Sequence, residues 1–106
     1  MYEALTKFIP QATDATIASE FFYAVHEFVD AHPELELKQY KIILRDNNIT
    51  SPKADVSSFD GKIVAAMIVG IVRRERFHEG FLKRCIENGS VAKCLLRLKE
   101  IDDGTP

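Results

Sequence analysis

Three arginines, two glutamates, a histidine and a glycine fall within eight positions, Arg73-Arg74-Glu75-Arg76-Phe77-His78-Glu79-Gly80. They follow directly on ten apolar or small residues, Ile63 to Val72. Charge pressed this tightly against a core segment has to be solvated, paired or used. Guanidinium forks match a carboxylate or a phosphate, and a nearby helix start adds amide donors. Arg73, Arg74, Arg76, His78 and Glu79 are therefore the candidate anion or partner site. A plainer reading competes with it. On a helix, Arg73, Arg76, Phe77 and Gly80 share one face. Arg76 then neighbours Glu79, Glu79 neighbours Lys83, and Arg74 neighbours His78. The cluster becomes a solvated, salt-bridged corner between two helices. Phe77 and Phe81 anchor it in the core, and Gly80 is small where the helices approach. This plainer reading is preferred, because such charged faces are commonly only solvated. It makes Arg73, Arg76 and Glu79 structural.

Other chemistry is thinner. Glu75-x-x-His78 has the spacing of a di-iron carboxylate–histidine pair, but such a site needs two of those pairs and two further glutamates. No second Glu-x-x-His occurs in the chain. His26, with Asp30 four residues on, and His32 at a helix end are scattered, so no metal and no cofactor is implied. Cys85 and Cys94 lie nine apart among helix-periodic apolar residues. They read as buried thiols in a reduced, cytoplasmic setting. There is no Gly-rich phosphate loop, no G-x-S-x-G, and no convincing base beside either cysteine. No catalytic residue is assigned, and the reading leans away from an enzyme; a small enzyme using the Arg73–Glu79 cluster is the third alternative.

The elements that must position these residues are helical. With 46% hydrophobic and 28% charged residues among 106, the chain has the composition of a soluble globular domain. Tyr2 to Ile9 carries Leu5, Phe8 and Ile9 at helical spacing and stops at Pro10. Asp14 or Thr16 caps the next helix, about Ile17 to Ala31. Its stripe is Phe21, Phe22, Val25, Phe28 and Val29. His32-Pro33 ends it. Glu34 to Arg45 reads as a third helix, closed at Asp46-Asn47-Asn48 by an asparagine in the left-handed conformation. Ser57 or Ser58 caps a central helix, about Phe59 to Arg74, that is apolar all round and so enclosed by others. Gly70 within it permits a close helix crossing. A new helix starts near Phe77 and ends at Asn88-Gly89, and a last one starts at Ser90 with Val91, Cys94, Leu95, Leu98 and Ile101 buried. The expectation is an all-α bundle of about six helices in a single domain, 1–101, with a frayed tail, 102–106. Phe21, Phe28, Val64, Met67, Ile68, Ile71, Phe77, Phe81, Leu95 and Leu98 should form one core.

The string from Ile71 to Leu82, with the following Glu87-Asn88-Gly89 and Leu95-Leu96-Arg97-Leu98, resembles a family of short prokaryotic proteins of unknown function. Its signature reads apolar-R-x-[ED]-R-F-x-[DE]-G-apolar. Arg73, Glu75, Arg76, Phe77, Glu79 and Gly80 fall on those positions. The resemblance spans about residues 63 to 98. It implies a small helical domain and supports a break near Phe77, and it carries no activity.

Charge bounds the partners. The net charge of −2 favours none in particular. Its distribution is uneven: from Ile71 to Lys99 eight Lys or Arg face three acids, whereas residues 1 to 50 hold eight acids and four bases. Acidic and basic regions that attract each other, within one molecule or between two copies, account for this, so a homo-oligomer is expected. Phe81 to Glu100 can also be laid on a helix-turn-helix around Asn88-Gly89-Ser90. Lys93 and Arg97 would then contact nucleic acid. Val91 and Leu96 would share that reading face, where apolar groups read little, and this argues against nucleic acid. The N-terminus has no secretory signal, and the ten-residue apolar run is half a membrane span. No membrane association is expected. The leading reading is a cytoplasmic binding or interaction module.

Overall fold

Burial of one largely apolar helix organises the chain. The computed structural model describes residues 1–104. Among them are six α-helices: α1 (Glu3–Thr6), α2 (Ala18–Ala31), α3 (Tyr40–Asp46), α4 (Gly61–Arg74), α5 (Phe81–Glu87) and α6 (Ser90–Asp102). No strand is present among the described residues. The chain is an all-α single domain. Helix α4 packs against α2, α3, α5 and α6. Val64, Ala66, Ile68 and Val72 on it are fully buried, whereas Lys62, Ile63, Gly70 and Arg73 form a half-buried face, so the enclosure read from the sequence is met on most sides. The expected helices at Ile17 to Ala31, Phe59 to Arg74 and Ser90 onward all appear. Of the expected core, eight of the ten residues are buried.

Several boundaries differ, each for a local reason. Asp14, rather than Thr16, caps the entry to α2: its carboxylate accepts from the Thr16 amide at 3.0 Å and the Thr16 hydroxyl at 2.7 Å. The expected helix Glu34 to Arg45 is broken. Glu36 takes a left-handed φ of 54°, separating two short 3₁₀ turns before α3 begins at Tyr40. Asn48 is left-handed, as the Asn-Asn stop requires (φ 57°). The cap of α4 is Asp60, not Ser57 or Ser58, accepting from the Ile63 amide at 3.0 Å. At the C-terminal side, α6 runs on to Asp102, which accepts from the Tyr2 amide at 2.8 Å. Thr105 and Pro106, the end of the expected tail, lie outside the described residues.

Glycines mark two close approaches. Gly70 lies where α3 crosses α4: a Cβ there would sit 3.3 Å from Leu44 and 3.5 Å from Tyr40. Gly61 opens α4 beneath the Tyr2 ring, which a Cβ would overlap. Tyr2 is buried and lies 5.6 Å from the Phe28 ring, so it has little room to swing aside. Gly61→Ala should therefore destabilise the fold by about 1–3 kcal/mol, as overpacking does. Chemical denaturation should show that cost, and a Tyr2→Ala background should remove most of it.

Candidate functional site

Helix α4 ends at Arg74, and the chain does not enter a helix again until Phe81. Residues 75–80 form a turn. The Phe77 and His78 amides both donate to the Arg74 carbonyl, at 3.1 and 3.0 Å, and Gly80 sits at φ 87°. The cluster therefore shares no helical face. Gly80 is there for its left-handed backbone, not for a helix approach: the nearest atom a Cβ would meet is 3.8 Å away, on Arg84.

Glu75 holds the turn. Its carboxylate accepts from the Gly80 amide and from the Leu82 amide, both at 2.8 Å. Both amides lie at the start of α5, where helix geometry leaves donors without partners. The sequence reading gave Glu75 no structural part. A carboxylate reaching five and seven residues forward has no local signature. The ion pairs expected instead do not form. Among the described residues, none of Arg73, Arg74, Arg76, Glu79 or Lys83 lies within 4.0 Å of an opposite charge.

With the turn held this way, the cluster divides. Arg73, Arg74, Phe77 and His78 line one side of a groove of about 410 Å³. Tyr40, Lys41 and Leu44 of α3, residues 49–52, and Met67, Gly70 and Ile71 of α4 complete it. Glu79 turns to the other side, into a hollow of about 450 Å³ shared with Glu75, Lys83 and the start of α2. Arg76 is exposed and lines neither. The proposed set is thus only partly brought together.

Phe77 is the main departure. It was expected in the core, and it is 80% exposed. The turn presents it outward at the groove rim, where no helix packs over it. Phe81 is half-buried rather than in the core, and the guanidinium carbon of Arg74 lies 4.7 Å from its ring centroid. Arg84 approaches the same ring at 5.8 Å. A guanidinium over an aromatic face is attracted by the ring quadrupole. The groove thus has an apolar floor and a rim carrying Lys41, Arg73 and Arg74, with no carboxylate among its lining residues.

The remaining candidates have other partners. Lys93 Nζ donates to the Ala54 carbonyl at 2.7 Å and Arg97 Nε to the Phe59 carbonyl at 3.0 Å. Both tie α6 to the segment before α4. Arg97 is buried, and Val91, placed on the reading face of the helix-turn-helix alternative, is fully buried as well. Among the described residues, no three His, Cys, Asp or Glu side chains gather where they could hold a metal. His26 Nδ1 lies 2.9 Å from the Phe22 carbonyl and His32 Nδ1 3.0 Å from Glu34. Both cysteines are free and buried. Burial pushes the Cys85 thiol up and the Cys94 thiol up to about 12, which keeps both protonated and poor nucleophiles. No helix among the described residues is long and apolar enough to cross a membrane.

A family model, "Family of unknown function (DUF6508)", matches residues 6–104. No curated protein and no solved structure matches the chain.

The turn's own energetics are testable. Glu75→Ala removes the acceptor of two charge-assisted hydrogen bonds and should cost about 2–4 kcal/mol. Arg76 is exposed and makes no ion pair among the described residues, so Arg76→Ala should stay within about 0.5 kcal/mol of the parent. Urea unfolding of the two variants side by side checks both. Equal stability would show that Glu75 does not hold the turn.

Proposed function

The chain belongs to this family of unknown function, and we propose that it is a binding module whose groove takes a ligand apolar in its body and anionic at one end. One observation carries the reading: Phe77 is 80% exposed on the rim, beside arginines that have no acidic partner. A large aromatic side chain held in water by a fixed turn is a cost that burial against a ligand would offset. Arginine is the side chain suited to grip a carboxylate or phosphate in two-point fashion. The volume of about 410 Å³ falls in the range of small-ligand and side-chain pockets. The buried, protonated Cys85 and Cys94 fit a reduced cytoplasmic setting. Nucleic acid is a poorer fit, because Lys93 and Arg97 are held by backbone carbonyls. No group in the groove has the pairing a nucleophile or a general base needs.

Anilinonaphthalene sulfonate, an aromatic body with one sulfonate, is the probe. At low protein concentration the folded chain should bind it saturably, and binding should weaken as salt rises. Arg74→Ala and Phe77→Ala should each weaken it about tenfold, or about 1.4 kcal/mol, with both variants still folded; the lost stacking on Phe81 should cost Arg74→Ala only about 0.5–1 kcal/mol of stability. Lys83→Ala, outside the groove, should leave it alone. Unaltered binding by both groove variants would sink the reading.

A further inference from the structure

Helix α2 carries an exposed stripe that nothing in the molecule covers. Glu20, Tyr23, Glu27 and Asp30 are all exposed. Spacings of three, four and three place them along one face of the helix. Tyr23 is 64% exposed, in the middle of the three acids. Among the described residues, none of those acids lies within 4.0 Å of a basic group. The stripe is an aromatic ring set among three negative charges. The groove is an apolar floor and an aromatic rim set among three positive charges, Lys41, Arg73 and Arg74. Each patch supplies what the other lacks.

Their placement matters as much as their chemistry. A narrow crevice between α2 and α4 is lined by Asp30 and Arg73 together, and Arg73 also lines the groove. The acidic stripe and the basic groove are therefore neighbours that meet at Arg73. Two complementary patches side by side can pair twice about a two-fold axis, each stripe on the other copy's groove.

We infer that the groove's occupant is the α2 stripe of a second copy of this chain, in a symmetric dimer with Tyr23 entering the partner's groove. The inference rests on the groove being a site for an apolar, anionic group. Opposed potentials across the contact steer the encounter and reject a like-charged register. Desolvated aromatic and arginine side chains at the centre are the usual anchors of such a contact.

Sedimentation of the full chain tests it. The parent should sediment at high micromolar concentration with twice the 12.0 kDa mass of one chain, and salt should dissociate it. Glu20→Lys with Glu27→Lys should be monomeric. Arg73→Glu with Arg74→Glu should be monomeric too. An equimolar mixture of those two variants should recover the dimer: one contact is then wild type on both sides, and the other has its charges exchanged. A monomeric parent, a dimer that survives either double variant, or a mixture that stays monomeric overturns the assignment. Circular dichroism checks that each variant folds. If a charge variant does not fold, Tyr23→Ala takes its place and should weaken association at least tenfold. The dye separates this inference from the groove reading beneath it. A monomeric parent that still binds anilinonaphthalene sulfonate through Arg74 defeats the dimer and keeps the groove. An α2 variant, with its groove uncovered, that fails to bind the dye defeats the groove itself.

Discussion

A helix that is apolar around its whole circumference cannot sit on a surface. Helix α4 is such a helix, and its need for cover dictates where the other elements go. Helices α2, α3, α5 and α6 all lie against it. Gly70 lets α3 come close on one side, and Gly61 lets the Tyr2 ring close over its start. The hydrophobic gain is large for so short an element, since nine of its fourteen residues are buried. The same enclosure forces a problem on its C-terminal end. Two arginines follow at once, and an arginine is rarely buried without partners. The chain must leave the core abruptly there.

Glu75 resolves that exit. By accepting from two amides at the start of α5, it holds the turn from which the next helix starts, seven residues after Arg74. The geometry has a side effect. Phe77 falls at the apex and is left in water, with Arg73 and Arg74 beside it. The turn that Glu75 holds is thus also what sets Phe77, Arg73 and Arg74 side by side.

Much of the fold was legible because its signals are local. Phe21, Val25, Phe28 and Val29 recur at helical spacing, and they are buried. Gly89 sits at φ 88° where Asn88-Gly89 announced a stop. Asn48 is left-handed where the Asn-Asn pair called for it. The candidate site was legible only in part. Apolar character alone argued for burying Phe77, and only the turn at 75–80 shows that no element covers it. Lys93 and Arg97 looked free because their carbonyl partners, Ala54 and Phe59, are 39 and 38 residues away. Glu36 broke an expected helix by adopting a left-handed backbone that no glycine or asparagine advertised.

The hydrogen bond from the Tyr2 amide to Asp102 joins positions 100 residues apart. Helix α1 lies on α6 as well as on α2, so a segment early in the sequence is completed by one late in it. Closing so long a span is entropically expensive before any contact rewards it. Leu5 and Phe8 have only part of their cover until α6 is in place. A change that loosens the last turn of α6 would therefore reach α1 as well, from the far side of the sequence.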